Sequence, residues 1–481
     1  MRYNCTICYK AIYNYSYSTG VSDKMAHLSI VGMGYVGLPL ALAFDAEGHD
    51  VVGFDTNEQK IERFRDGEDP TDEVDSATIT GSDIRFTAST SEIEASDYYV
   101  ITVPTPIDEA GKPDLSYVEA AGETVGDKLT DVSTVILEST VYPGATREVL
   151  IPVLEAASGM AVGDDFSVGY SPERLVPGNA EKGLSDIVKI VSGYDDPALE
   201  SLCTLYGDIV DAGLHRAPTI ETAEAAKCLE NTQRDVNIAL MNEFAFGCRQ
   251  LDLPIDARDV IDAAATKWNF HEYHPGSVGG HCIPVDPNYL IWKFEQRGFD
   301  SELMRAARTV NNEFANQIVT TTVDALEVRA RILDRAVETV NADGGQVAGD
   351  STADGDTLLE SPGGTPRLLV LGFAYKANTT DIRSPVLKSA VEQLEPVADV
   401  VGVDPHVPKE ELRRVFQIPV QDELAVGDFD GLLLTTAHDR FTSLDLETLG
   451  ERMNEFPVLV DMTGTYEDDE AAEHGFIYRG I

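Results

Sequence analysis

The chain has 481 residues, with 36 Lys and Arg against 83 Asp and Glu and a formal net charge of −47. That length exceeds one compact core and predicts two or three domains, while 43% hydrophobic residues suit a globular chain. The charge argues against nucleic-acid binding, which needs a basic face, and no apolar run approaches the roughly 20 residues of a membrane span.

Only 13 of the basic residues are Lys. An acidic, Lys-poor globular chain suits a salt-rich cytoplasm, where dense carboxylates hold water and keep proteins apart. At about 1 M salt the Debye length falls to about 3 Å, so such charge barely repels an anionic substrate. The six cysteines, Cys5, Cys8, Cys203, Cys228, Cys248 and Cys282, are scattered, unlike a secreted disulfide framework. Cys5-x-x-Cys8 has no second ligand pair, so no metal site is expected. Residues 1–24 contain no long apolar stretch and are read as an unstructured extension, with Met25 opening the fold.

From Met25 onward, β-branched runs alternate with helical stretches. His27–Val31 is a predicted strand, followed by a Gly-rich turn, a helix over Leu38–Glu47 and a strand over Val51–Asp55. Further strands are predicted over Ile84–Thr87, Tyr98–Val103, Thr134–Glu138, Ser167–Tyr170 and Val188–Ser192. Strands apolar on both faces and separated by helix-length segments imply a mainly parallel, doubly wound sheet. The pattern changes near Pro218. Residues Thr219–Leu251 hold no Pro and no Gly before Gly247, so one helix of about 48 Å is predicted, followed by helical sequence over Asp256–Ala265 and Ser301–Val340. Asn341–Thr365 is Gly-, Asp-, Ser- and Thr-rich and reads as an acidic linker. Strands then resume at Arg367–Leu371, Val397–Val403, Gly431–Thr435 and Val458–Met462. The expected fold is α/β: two Rossmann-like domains, 25–217 and 367–481, joined by a helical middle, 218–340, and a linker, 341–366.

Gly32-x-Gly34-x-x-Gly37 follows a strand and opens a helix, and Asp55 ends the next strand. In that context the glycines permit a tight turn and backbone approach to a pyrophosphate. Asp55 then accepts from a ribose hydroxyl, favouring NAD over NADP, with Lys60 beside the same ribose. A second motif, Pro275-Gly276-x-x-Gly279-Gly280-His281-Cys282-x-Pro284-x-Asp286-Pro287, crowds glycines around one thiol with a carboxylate four residues on. Lys227 and Asn231 are four apart and share a face of the long helix. Glu138-Ser139-Thr140 through Pro143-Gly144, and Pro172-Glu173-Arg174, end strands in segments shaped for polar ligands. Lys376 and Arg383 follow the first strand of the last domain, and two cations there suit a diphosphate.

Together these motifs, in this order from Met25 to the C-terminus, resemble the UDP-glucose/GDP-mannose dehydrogenase family. The resemblance implies oxidation of a nucleotide-sugar C6 alcohol to a carboxylate with two NAD. It implies Cys282 as nucleophile, Lys227 and Asn231 as oxyanion-stabilising groups and Asp286 behind the thiol. It places Thr140 on a catalytic water and assigns Glu173 to thioester hydrolysis. The implied cofactor set is Gly32, Gly34, Tyr35, Val36, Gly37, Asp55, Lys60, Pro104, Thr105 and Thr140. The implied UDP-sugar set is Glu173, Arg174, Lys227, Asn231, Gly279, Gly280, Lys376 and Arg383, in a homodimer. Thr266-Lys-Trp-Asn-Phe270 and His281 before the thiol look like the branch that oxidises UDP-N-acetylhexosamines, so UDP-N-acetylglucosamine is the expected substrate, ahead of UDP-N-acetylmannosamine and UDP-glucose. Two other readings remain: a two-electron hydroxyacid dehydrogenase, which has no use for the thiol or the third domain, and a non-catalytic nucleotide-sugar sensor.

Overall fold

The computed structural model describes residues 25–70, 74–108, 110–175, 183–251, 253–280, 282–342 and 364–480, with backbone alone over 336–342. The expectations for residues 1–24, Cys5, Cys8, His281 and most of the acidic linker fall outside the described residues.

Eight strands form the first sheet: β1 (His27–Val31), β2 (Asp50–Phe54), β3 (Arg85–Thr87), β4 (Tyr98–Ile101), β5 (Thr134–Leu137), β6 (Ser167–Tyr170), β7 (Lys189–Gly193) and β8 (Leu214–Arg216). Their order is β3-β2-β1-β4-β5-β6-β7-β8. The apolar runs become strands because helices cover both faces, leaving four of the five residues of β1 and of β2 buried. All pairs are parallel except β6 with β7, where Tyr170 lies opposite Ser192. Strand β8, only three residues long, carries no alternation that a sequence pattern could catch.

The Pro-free segment folds as one helix, Ile220–Arg249, capped by the Thr219 side chain, which accepts from the Thr222 amide. The helical sequence expected over Ser301–Val340 forms two helices, Glu302–Asn312 and Phe314–Ala342. The first ends at the weak helix formers Asn311 and Asn312, and the Asn311 amide bonds back to Asp235 on the long helix.

The second sheet holds β9 (Arg367–Leu371), β10 (Asp399–Val403), β11 (Gly431–Leu434), β12 (Val458–Asp461) and β13 (Ile477–Gly480), all parallel, in the order β10-β9-β11-β12-β13. It repeats a device of the first. Asp55 accepts from the Met33 amide at 3.0 Å, and Asp404 from the Phe373 amide at 2.7 Å. In the second sheet, however, the acid also pairs at 3.1 Å with His438, which is fully buried.

The thiol loop docks between the two sheets. The Gly280 amide donates to the Arg383 carbonyl at 2.8 Å, and the Arg383 guanidinium sits 5.2 Å from the centre of the Tyr35 ring. A Cβ on Gly279 would stand 2.6 Å from the Cβ of Tyr375, so glycine is what lets the loop come this close. Gly279→Ala should therefore destabilise by about 1–3 kcal/mol, seen as a lowered thermal midpoint. Gly276→Ala, with nothing within 4 Å of an added Cβ, should be near neutral.

Candidate active site

The carboxyl ends of β1, β2, β4, β5 and β6 open onto a cavity of about 500 Å³, the usual ligand position in an open α/β sheet. Its wall takes Gly32, Gly34, Tyr35 and Val36 from the first turn, Asp55 and Lys60 after β2, and Pro104 and Thr105 after β4. Glu138 and Thr140 come from the end of β5, Glu173 from the end of β6, and Lys227 from the long helix. Cys282 and Asp286 enter from the thiol loop, and Arg383 from the second sheet.

The turn fits a dinucleotide. A Cβ on Gly37 would lie 1.9 Å from the Gly32 carbonyl oxygen, so only glycine lets the helix Gly37–Ala46 close onto the turn. Backbone amides at that helix start then face an incoming phosphate. Asp55 is fixed at the cavity by the Met33 amide and by Lys60 Nζ at 2.7 Å. Lys60 thus neutralises the acid expected to take the ribose hydroxyls.

Around the thiol the geometry is set by a helix start. The Cys282 carbonyl accepts from the Val285 and Asp286 amides at 3.1 and 2.9 Å, opening the helix Asp286–Glu295. Burial and then the Asp286 carboxylate push the Cys282 thiol up to about 11, against the opposing pull of Lys227, Arg383 and Arg234. Burial likewise lifts Asp286 to about 6, with Lys227 and an Asn231 hydrogen bond pulling it down. Asn231 does not line the cavity; its amide donates to Asp286 at 2.5 Å, holding the carboxylate from behind. Lys227 and Asn231 are both buried, one helical turn apart.

Glu173 is pinned by its own chain. One carboxylate oxygen accepts from the Arg174 and Leu175 amides, each at 2.5 Å. The other faces Lys189 at 3.3 Å. Although burial opposes it, Lys189, these amides and Lys227 together hold Glu173 below the ordinary carboxylate range. The segment after Thr140 is anchored by buried Glu224, which accepts from the Thr146 amide and hydroxyl at 2.9 and 2.7 Å. The Thr105 hydroxyl donates to the Thr140 carbonyl at 2.7 Å.

Not every predicted residue reaches the cavity. Arg174 turns away to pair with Glu230 at 3.0 Å and the Val188 carbonyl at 2.7 Å. Gly279 and Gly280 pack against Tyr375, and half-buried Lys376 lies outside the wall. Sequence reasoning gave no role to Glu138, Lys189 or Glu224. For Lys189 a signal existed: it is one of only 13 lysines in an acidic chain. Among the described residues no group of three or more His, Cys, Asp or Glu is placed to hold a metal ion, and no helix is long and apolar enough to cross a membrane.

Comparison with known proteins agrees with this arrangement. Residues 26–210 match the NAD binding domain of the UDP-glucose/GDP-mannose dehydrogenase family, 221–313 its central domain and 369–468 its UDP binding domain. The chain is 38% identical over 450 residues to a UDP-N-acetyl-D-glucosamine 6-dehydrogenase of Pseudomonas aeruginosa, covering 93% of this chain and 99% of that one. It is 37% identical over 437 residues to the enzyme of the same name from Salmonella typhi, covering 90% and 95%. A solved UDP-D-ManNAc dehydrogenase from Pyrococcus horikoshii superposes with a TM-score of 0.79 at 30% identity, over 95% of this chain and 99% of the other. Two Rossmann-like sheets, one for NAD and one for a uridine nucleotide, define an NAD-dependent oxidoreductase acting on UDP-sugars. The chain belongs to the UDP-glucose/GDP-mannose dehydrogenase family.

Two outcomes test the site. Removing a like charge beside the thiol favours the thiolate, so Asp286→Asn should speed alkylation of Cys282 by iodoacetamide at pH 8 roughly tenfold, while turnover falls. Asp55→Ala should raise the KM for NAD about tenfold or more and narrow the preference over NADP, measured by initial rates with each cofactor.

Proposed function

We propose that this protein oxidises the C6 hydroxyl of UDP-N-acetylglucosamine to the uronate in two successive two-electron steps, through a covalent intermediate on Cys282. The observation that carries the reading is the convergence of the Cys282 thiol, buried Lys227 and the carboxylates of Glu138, Glu173 and Asp286 on the cavity that also holds the dinucleotide turn. NAD bound there supplies the hydride acceptor at both oxidations.

The chain's own residues do the rest. At the first oxidation Lys227 faces the C6 oxygen, whose proton passes to water as the hydride leaves and the alcohol becomes an aldehyde. An aldehyde carbon gives up hydride poorly, so the Cys282 sulfur adds to it and its proton is lost to Asp286 or solvent, leaving a thiohemiacetal oxyanion. Lys227 stabilises that negative oxygen, while Asn231 acts behind it by holding Asp286; losing a donor such as Lys227 costs roughly 3 kcal/mol, about a hundredfold in rate. Departure of the second hydride leaves a thioester. Water held near Thr140 then attacks the acyl carbon, Glu173 takes its proton, the C–S bond breaks and the thiolate is restored. A thiol pushed up to about 11 stays protonated until the aldehyde is present, which guards it from side reactions.

The choice of sugar is supported by the Thr266–Phe270 segment, the His281-Cys282 pair and the identity to the Pseudomonas and Salmonella enzymes. UDP-N-acetylmannosamine is the second reading, favoured by 31% identity over 463 residues to a UDP-N-acetyl-D-mannosamine dehydrogenase of Pyrococcus horikoshii. Pairing of two copies is supported by Leu229, Leu240 and Phe244, exposed along one stripe of the long helix, with exposed Leu251 just past its end. Net charge alone supports a salt-rich cytoplasm as the working environment.

Assays of NADH released from UDP-N-acetylglucosamine, UDP-N-acetylmannosamine and UDP-glucose at high salt should give two NADH per sugar, fastest with the first. Cys282→Ser should abolish uronate formation. One NADH per substrate, unchanged by that substitution, would instead establish a two-electron hydroxyacid dehydrogenase.

A further inference from the structure

We propose that Lys189 is a positioning residue of the hydrolytic step, a buried cation that fixes Glu173 as the ionised base by dividing its charge between that residue and Glu138. The inference rests on the reading of Glu173 as the group that takes the proton of the attacking water.

Geometry carries it. The Lys189 side chain is only 3% exposed, and the carboxylates of Glu138 and Glu173 are 0% and 11% exposed. An ammonium has three donors, and all three are used: Glu138 Oε2 at 2.9 Å, Glu173 Oε2 at 3.3 Å and the Pro172 carbonyl at 3.4 Å. The ammonium also sits 5.1 Å from the centre of the Tyr206 ring, whose hydroxyl donates to the second oxygen of Glu138. Both carboxylates reach the cavity wall. A buried lysine with no carboxylate would give up its proton, and two buried carboxylates with no lysine would share one.

The antiparallel strand explains how the cation gets there. Because β7 runs against β6, with Tyr170 opposite Ser192, continuing the register sets the first residue of β7 beside the chain just past the end of β6. The Ser171 hydroxyl, donating to the Ile190 carbonyl at 2.8 Å, carries that alignment one step further toward Glu173. A parallel strand would bring its other end to the cavity and leave Lys189 at the far edge of the sheet. The one antiparallel pair of the sheet is thus the pair that delivers this side chain.

The groups facing Glu173 are Lys189 from β7, Lys227 from the long helix, Glu138 from the end of β5, Tyr206 from the helix Asp196–Gly207 and the amides of Arg174 and Leu175. Glu173 is held low by Lys189 and its neighbours against the cost of burial, whereas burial, with Glu173 adding to it, leaves Glu138 raised. One cation shared between two carboxylates thus leaves Glu173 the one held low and Glu138 the one raised.

The test uses the full chain with UDP-N-acetylglucosamine and NAD. It records the pH dependence of kcat, the KM for the sugar nucleotide, and by intact mass the sugar adduct on Cys282. Lys189→Met should move the acid limb of kcat up by about one pH unit or more and let the adduct accumulate, with the sugar KM little changed. Glu138→Gln should move the same limb down, because the lysine then serves Glu173 alone. An acid limb unmoved by Lys189→Met overturns the role of Lys189. Should that variant not fold, a limb unmoved or raised in Glu138→Gln overturns it instead. Glu173→Gln separates the two layers: adduct accumulating there supports the base while Lys189 is judged by the limb, and its absence overturns the reading of Glu173 and this inference with it.

Discussion

Three carboxylates, Glu138, Glu173 and Asp286, line or border one cavity with two lysines, Lys189 and Lys227, to neutralise them. Charge in a low-dielectric site must be compensated, or the group changes its protonation state. Burial and the placing of positive charge together decide which group is ionised. Asp286, lifted to about 6, has only Lys227 and the Asn231 amide against burial. Burial and then the Asp286 carboxylate raise the Cys282 thiol to about 11, against Lys227, Arg383 and Arg234. Glu173, with an ammonium and two backbone amides, remains the anion. This distribution is what the proposed mechanism draws on, with a protonated thiol and an ionised Glu173 in one cavity.

The same cavity is assembled from three parts of the chain that share buried cores, the long helix packing Ile220 and Ala223 on the first sheet and Ala245 and Cys248 toward the second. The first sheet supplies the dinucleotide turn and the two strand-end glutamates, the long helix supplies Lys227 and Asn231, and the thiol loop bridges to the second sheet through Gly280 and Arg383. Arg383 over Tyr35 closes the ring by joining the second sheet to the turn of the first. The second sheet keeps the turn and the strand-end acid of a dinucleotide fold, but Asp404 is taken up by buried His438. An acid with that partner is not free for a ribose, which agrees with a UDP binding domain rather than a second NAD site.

Much of this was legible because it depends on local chain chemistry. Apolar runs bounded by turns must become buried strands, a Pro-free stretch of 30 residues can only be a helix, and a glycine triplet after a strand specifies where a helix may close on its turn. Cys282 and Asp286, four apart at a helix start, fall on one side of that start for the same reason. Less legible were the helix break after Asn312, which depends on Asp235 far away in sequence, and the edge strands β8 and β13, whose mostly exposed or half-buried residues form no apolar run. Arg174 looked like a ligand residue until Glu230, 56 positions on, claimed it.

By itself the sequence determined the α/β–helical–α/β order, the dinucleotide turn, the acid at position 55 and the thiol among its glycines, since each is written in neighbouring residues. Only the tertiary structure decided which charges share a burial site. Lys189 meets Glu138 and Glu173 because one strand runs backwards, and the direction of a strand is fixed by pairing across the sheet, a property that no stretch of neighbouring residues encodes.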